Sequence, residues 1–263
     1  MKRHKSFAVL LCAAALSSCD YEKNAVQDIV GDLPASQIKF FNFGIGAPAV
    51  NFYANDTKVT AVFSSTGTEA VTGVGYGGEA AGGLYAGIEP GQYTLTGRIA
   101  AATDKDLPIS SVTATIEDGK SYSYYQSGVY NTTTKTVDAF VVEDAFPAEI
   151  EWSGAQVRFV NAIFNSNPMT LYATHSDTGQ EQAVGGDVAY KTGGAFTLLP
   201  TGSYSLSTRS AGSATNILRR TGVSFVAGRV YTITARGDIT VASTSTTTCA
   251  STNRTCLDNA INR

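Results

Sequence analysis

The sequence predicts an all-β protein made of two tandem β-sandwich domains, and three observations predict it. Tyrosine (13) and phenylalanine (12) supply nearly all the aromatics, glycine, serine and threonine abound, and charged residues make up only 16% of the chain, against the usual quarter or so. That mixture suits short strands joined by many turns, because aromatics and threonine fit pleated surfaces while glycine serves tight connections. Apolar residues alternate at Tyr93/Leu95, Val112/Ala114/Ile116, Tyr122/Tyr124, Tyr204/Leu206 and Tyr231/Ile233. This period of two puts each set on one face of a strand, with Thr, Ser and Lys on the other. The third observation is that the chain repeats itself.

The amino terminus comes first. Lys2, Arg3 and Lys5 precede an apolar run from Phe7 to Leu16, then Ser17-Ser18-Cys19. Ten apolar residues rise about 15 Å as a helix, roughly half a bilayer core, so this is a secretory signal and not a membrane span. Leu16-Ser17-Ser18-Cys19 resembles the lipobox of bacterial lipoproteins, which implies cleavage after residue 18 and a diacylglycerol on Cys19. Residues 19–36 read as a lipidated tether, polar and without a strong period. Asp20 is open to two readings, inner-membrane retention or surface export.

The repeats follow. Ile38-Lys39-Phe40-Phe41-Asn42 returns as Val157-Arg158-Phe159-Val160-Asn161, and Phe52-Tyr53-Ala54 as Leu171-Tyr172-Ala173, both 119 residues on. Gly91-Gln92-Tyr93-Thr94-Leu95 returns as Gly202-Ser203-Tyr204-Ser205-Leu206 after 111 residues, and Gly119-x-x-Tyr122 as Gly228-x-x-Tyr231 after 109. The order holds and only loop lengths drift. We therefore expect homologous domains at 37–145 and 155–243, joined by a linker at 146–154 and followed by a Ser/Thr-rich tail at 244–263. Each domain is long enough for a core of its own and is expected to fold separately. Turn signals every eight to twelve residues suit a sandwich of short strands.

Val157-Arg158-Phe159-Val160-Asn161, the Leu-Tyr strand, Leu199-Pro200-x-Gly202-x-Tyr204 and the closing Ala227-Gly228-x-x-Tyr231 resemble the domain-of-unknown-function 4397 family. That family is often found in tandem on secreted and lipid-anchored bacterial proteins. The resemblance implies a β-sandwich and brings no activity or site residues with it. The first repeat departs from the pattern by a long glycine-rich insertion. Gly-x-x-Tyr before a late strand is similar to the tyrosine corner of immunoglobulin-like domains, whereas Leu199 to Leu206 resembles transthyretin-like domains. Both sandwich topologies stay open.

Chemistry is sparse. With residues 1–18 go three basic residues and no acid, taking the formal net charge from −3 to −6, and the largest basic cluster is Arg219-Arg220, so nucleic acid is excluded as a partner. The mature chain has one histidine, His175, whose neighbours Ser176 and Asp177 do not make a catalytic triad by adjacency. One histidine and no Cys-x-x-Cys leave a zinc site without ligands, and no other metal or cofactor is expected. Gly73-Val74-Gly75-Tyr76-Gly77-Gly78 matches a dinucleotide pattern in letters only, because no helix can follow it. Glu149 and Glu151 read as solvated acids in the linker. Cys249 and Cys256 are expected to form a disulfide within the tail.

Candidate interaction residues are Tyr76, Tyr85 and Trp152. Seven glycines fall between Gly73 and Gly87, interleaved with Tyr76 and Tyr85, a combination that binding loops use. The competing reading is a glycine-rich edge strand, with Tyr85 buried as the counterpart of Phe196. Trp152 stands at the domain junction, to pack there or to meet a sugar. The functional expectation is a non-enzymatic, lipid-anchored cell-envelope protein, at the outer membrane in preference to the inner. It would act as a binding or structural module for an unknown protein or glycan. The alternative is an accessory subunit of a surface assembly or of an envelope enzyme.

Overall fold

The structure, a computed structural model, describes residues 35–60, 72–249 and 252–262; Cys19 lies outside them. The first repeat runs β1 (Gln37–Ile45), β2 (Val50–Ala54), β3 (Thr57–Lys58), β4 (Gly78–Glu79), β5 (Ala86–Gly87), β6 (Gly91–Ile99), β7 (Pro108–Ile116), β8 (Ser121–Asn131) and β9 (Thr136–Glu143). The second runs β10 (Ala155–Asn161), β11 (Met169–His175), β12 (Glu181–Val188), β13 (Thr192–Gly193), β14 (Thr197–Leu199), β15 (Gly202–Ser210), β16 (Arg219–Phe225), β17 (Val230–Arg236) and β18 (Cys256–Ile261). Among the described residues no helix is long and apolar enough to cross a membrane.

Each repeat is a two-sheet sandwich, and the two have one topology. In the first, the inner sheet has the order β4-β1-β8-β9, with β5 also on β1, and the outer sheet has the order β3-β2-β6-β7. The second repeats this as β13-β10-β17-β18, with β14 on β10, against β12-β11-β15-β16. β1 runs parallel to β8, and β10 parallel to β17. Immunoglobulin domains place their first two strands in one sheet. Here β1 and β2 lie in opposite sheets, which leaves the transthyretin-like order of the two alternatives. The Gly-x-x-Tyr motif still ties a corner: the hydroxyls of Tyr122 and Tyr231 accept hydrogen bonds from the main-chain N–H of Glu117 and Val226, at 3.1 and 3.2 Å.

Alternation along the inner strands is double-sided. Ile38, Phe40, Tyr122 and Tyr124 point into the first sandwich core, and Val157, Phe159, Tyr231 and Ile233 into the second. The intervening side chains are not solvated as the sequence pattern suggests. Lys39, Ser123, Arg158, Thr232, Thr234 and Arg236 are all buried, because the two inner sheets pack on each other. A third cluster forms between the repeats from Phe41, Phe43, Tyr125 and Phe140 against Val160, Ala162 and Ala260. Its rings stack in series, Phe41 on Tyr125 at 4.8 Å and Tyr125 on Phe140 at 5.1 Å. The expectation of separately folding repeats therefore meets a shared core: large side chains come from the first repeat and small ones from the second.

A second correction concerns the carboxyl end. The segment read as a tail beyond residue 243 returns to the second sandwich as β18, pairing antiparallel with β17 from Tyr231↔Ile261 to Arg236↔Cys256. Leu257 sits in the second core. The physical reason is symmetry: β18 is to β17 what β9 is to β8, and without it the inner sheet of the second repeat ends at an unpaired strand.

Candidate functional site

Two of the three candidate interaction residues, Tyr76 and Tyr85, lie at the seam between the repeats, where they are structural. Asp144 directly follows β9, and its carboxylate is buried. It accepts hydrogen bonds from the Tyr85 hydroxyl at 2.6 Å and the Ser123 hydroxyl at 2.8 Å, and forms an ion pair with Arg158 of the second repeat. Arg158 also donates Nε to Thr232 at 3.0 Å and Nη1 to the Glu143 carbonyl at 2.9 Å. Burial and the neighbouring Asp144 charge push the Tyr85 hydroxyl far above its ordinary range. Tyr85 is therefore a half-buried anchor of the seam and not a free contact residue.

The seam obeys the internal symmetry. Lys39 occupies in the first repeat the place of Arg158, and reaches across to the Ile261 carbonyl at 2.9 Å and Asn262 Oδ1 at 3.3 Å. Asn262 follows β18 as Asp144 follows β9, and it bonds Thr232 at 2.7 Å as Asp144 bonds Ser123. Each repeat thus extends a basic side chain from its first strand to the end of the other's last strand. Burial lowers the Lys39 pKa, with Glu79 and Asp144 opposing. Phe146, from the linker, packs between Tyr85 at 6.0 Å and Phe196 at 5.8 Å, and the registers Ile38↔Ala86 and Val157↔Thr197 make those two equivalents.

Tyr76 is also part of the seam. The Arg236 guanidinium lies 4.9 Å over its ring and 5.5 Å from the Phe43 ring, and is ion-paired with Asp258. Burial raises the pKa of the hydroxyl. Its equivalent in the second repeat is Tyr190, which packs on Phe140 and donates to Asp138 at 3.2 Å. Tyr76 therefore belongs to what the repeats share and not to what distinguishes them. The glycine-rich stretch is an edge, as the competing reading held: Asn42 pairs with Gly78, Phe41 with Glu79, and Ile38 with Ala86. Gly73 requires its lack of a side chain, since it has φ +57° and a Cβ there would stand 2.5 Å from Ala100 Cβ.

Trp152 has the opposite fate. It lies against Gly228, where a Cβ would come within 2.6 Å of the ring, yet it is 74% exposed. Leu198, also exposed, has Cδ1 3.1 Å from where a Cβ on nearby Gly154 would stand. The junction-packing expectation is corrected: among the described residues the ring lies against Gly228 and is left largely open. His175 stacks edge-on to Tyr204 at 5.0 Å, and its Nδ1 accepts from the Asp177 N–H at 3.2 Å. Glu151 accepts from the Ser153 N–H at 2.9 Å. Cys249 and Cys256 are joined, with Cα atoms 5.5 Å apart. They and Asp258 present ligand-type atoms within 4.8 Å of one another, but the sulfurs are bonded to each other and Asp258 holds Arg236.

Lys39, Arg158, Asp144 and Arg236 were not singled out from the sequence. One signal was available: Lys39 and Arg158 stand at the same place in both repeats, each the single charge in its strand.

Fold and seam together define a tandem β-sandwich protein whose repeats are fused through their inner sheets. The model of the domain of unknown function DUF4397 matches residues 36–172 and 155–257, and the chain belongs to that family. No curated protein matches the chain. Among solved structures it is similar to a leucine-rich repeat protein from Bacteroides thetaiotaomicron, at 11% identity and TM-score 0.18, over 75% of this chain and 25% of that one. It is also similar to a candidate cell adhesion protein from Bacteroides ovatus, at 10% identity and TM-score 0.22, over 87% and 96%. The chain thus spans a quarter of the length of the first.

Proposed function

We propose that this protein is a lipid-anchored component of the bacterial cell envelope, held at the outer membrane through Cys19, and acts as a non-catalytic binding or structural module. The observation that carries the reading is the Leu16-Ser17-Ser18-Cys19 signature ahead of a fused double sandwich. Several features of the body agree with it. The charged groups brought together at the seam, Arg158 with Asp144 and Arg236 with Asp258, are spent on each other. Trp152 and Leu198 offer apolar surface for contact.

The test is acylation and fractionation of the Cys19→Ala variant. Loss of lipid labelling and release from the membrane fraction is the expected result; unchanged acyl incorporation would refute the anchor. Affinity capture from envelope extract, compared with Trp152→Ala, tests the binding role. A second reading, a subunit of a surface assembly, is favoured by one observation: β7 is an edge strand with no charged residue along it.

A further inference from the structure

The two sandwiches differ at one groove, and the second repeat shows what fits there. In the first repeat a groove of about 420 Å³ runs between Pro108–Ser111 of β7 and Thr136–Val137 of β9. The strand registers make Pro108–Ser111 equivalent to Asn216–Arg219, and Val137 to Thr255. Those residues of the second repeat line a corresponding groove, but there Ala242–Thr246 lie in it and only about 230 Å³ remains. That segment is seated through its main chain. The Thr221 N–H donates to the Thr246 carbonyl at 2.6 Å, the Thr255 N–H to the Val241 carbonyl at 2.9 Å, and the Ser243 N–H to Thr255 Oγ1 at 3.2 Å. The disulfide from Cys249 to the first residue of β18 holds it in place. The first repeat has no counterpart, because β8 and β9 are joined by the short turn between Asn131 and Thr136.

The unfilled groove keeps the outward main-chain edge that the filled one uses, although Val137 lacks the hydroxyl of Thr255. Both main-chain groups of Thr94 face β2, since its carbonyl accepts from the Asn55 N–H and its N–H donates to Asn55 Oδ1, each at 2.9 Å. Thr113 stands opposite Thr94 in the register, so its N–H and carbonyl point away from β6, out of the sheet. Ser111 and Thr115 share that parity. The usual edge protections are missing: β16 carries Arg219, Arg220 and a bulge opposite Tyr204/Leu206, whereas β7 has neither charge nor bulge from Ser110 to Ile116. The walls, which include Thr96, Ile109, Ser111 and Val137, are uncharged. Behind them Val112 and Ala114 are only partly buried.

We propose that this groove and the β7 edge bind, in trans, an extended, uncharged, serine/threonine-rich segment of a partner protein, seated as Ala242–Thr246 is seated in the second repeat. Strand addition supplies main-chain hydrogen bonds for affinity, and the small neutral groove selects short side chains. This deepens the binding-module reading and rests on it.

The test is titration of the full chain into a fluorescent peptide with the sequence of residues 241–247, read by anisotropy. Saturable binding is expected, weakened about tenfold in Thr113→Pro, because that substitution removes an outward N–H that the ladder to β6 does not use. Ser111→Asp sets a carboxylate in the uncharged wall, where docking of a neutral strand would strip it of water, and should weaken binding similarly, which covers the case in which the proline variant does not fold. No saturation, or unchanged affinity in a folded variant, overturns the proposal. So does a dimer of the free chain that Thr113→Pro abolishes, since a second copy would then be the occupant. A partner or glycan captured from envelope extract equally well by wild type and Ser111→Asp overturns this groove and leaves the binding-module reading standing.

Discussion

Asp144, the first residue past the last strand of one sandwich, forms a buried ion pair with Arg158, in the first strand of the other. A carboxylate and a guanidinium taken out of water together are tolerable because each also has neutral partners, Tyr85 and Ser123 for one, Thr232 and the Glu143 carbonyl for the other. Removing one partner leaves the other charge buried alone. Asp144→Ala should therefore lower stability to urea by about 3–5 kcal/mol, while Asp144→Leu with Arg158→Met should lose much less. Equal losses in the single and double variants would show that the pair has no special role.

The shared aromatic cluster couples the repeats. Residues 35–144 expressed alone should expose Phe41, Phe43, Tyr125 and Phe140 and aggregate or bind a hydrophobic dye. The intact chain should unfold in one transition by calorimetry. Two separate transitions would mean that the seam is weaker than its burial implies.

Replacing residues 72–80 by a short turn should damage the fold. The segment supplies β4, the Tyr76 ring beneath Arg236, and the Val74 carbonyl that accepts from Asn42 at 2.8 Å. Gly73→Ala alone should cost at least about 1 kcal/mol, through both its positive φ and the contact with Ala100. Wild-type melting of either variant would contradict this.

Alkali should unfold the protein early. Burial pushes the Tyr125 hydroxyl up to about 12, as it does that of Tyr190, while unfolded tyrosine ionises near 10. Between those values the folded state holds more protons than the unfolded one. The stabilisation is thus complete below pH 10 and is lost as pH rises toward 12, by up to about 2–3 kcal/mol for a fully buried ring. Urea midpoints at pH 8, 10 and 11 measure the slope, and Tyr125→Phe should flatten it.

Breaking the disulfide should reach the body of the second sandwich. Cys256 opens β18, so Cys249→Ser should speed amide exchange along β17–β18 and cost about 2.5 kcal/mol on the loop-closure model. Unchanged exchange there would return the bridge to a local role.

Composition, the period of two and the four co-linear matches made the all-β class, the repeat and its family legible in the sequence, because strand alternation and turn glycines are local requirements that each repeat must meet by itself. The same pattern misassigned the second face of the inner strands. Lys39, Ser123 and Thr232 read as solvent-facing residues, since a polar side chain looks alike whether it faces water or another sheet. Only tertiary structure decided that the inner sheets meet, and with that it turned Tyr76 and Tyr85 from candidate contacts into parts of a seam, left Trp152 outside it, and drew Cys256–Ile261 back as an edge strand. The physical reason is range. Residues two apart share a face through the geometry of one strand, whereas Asp144 and Arg158, or Lys39 and Ile261, meet only after both sandwiches exist and their faces have been dried against each other.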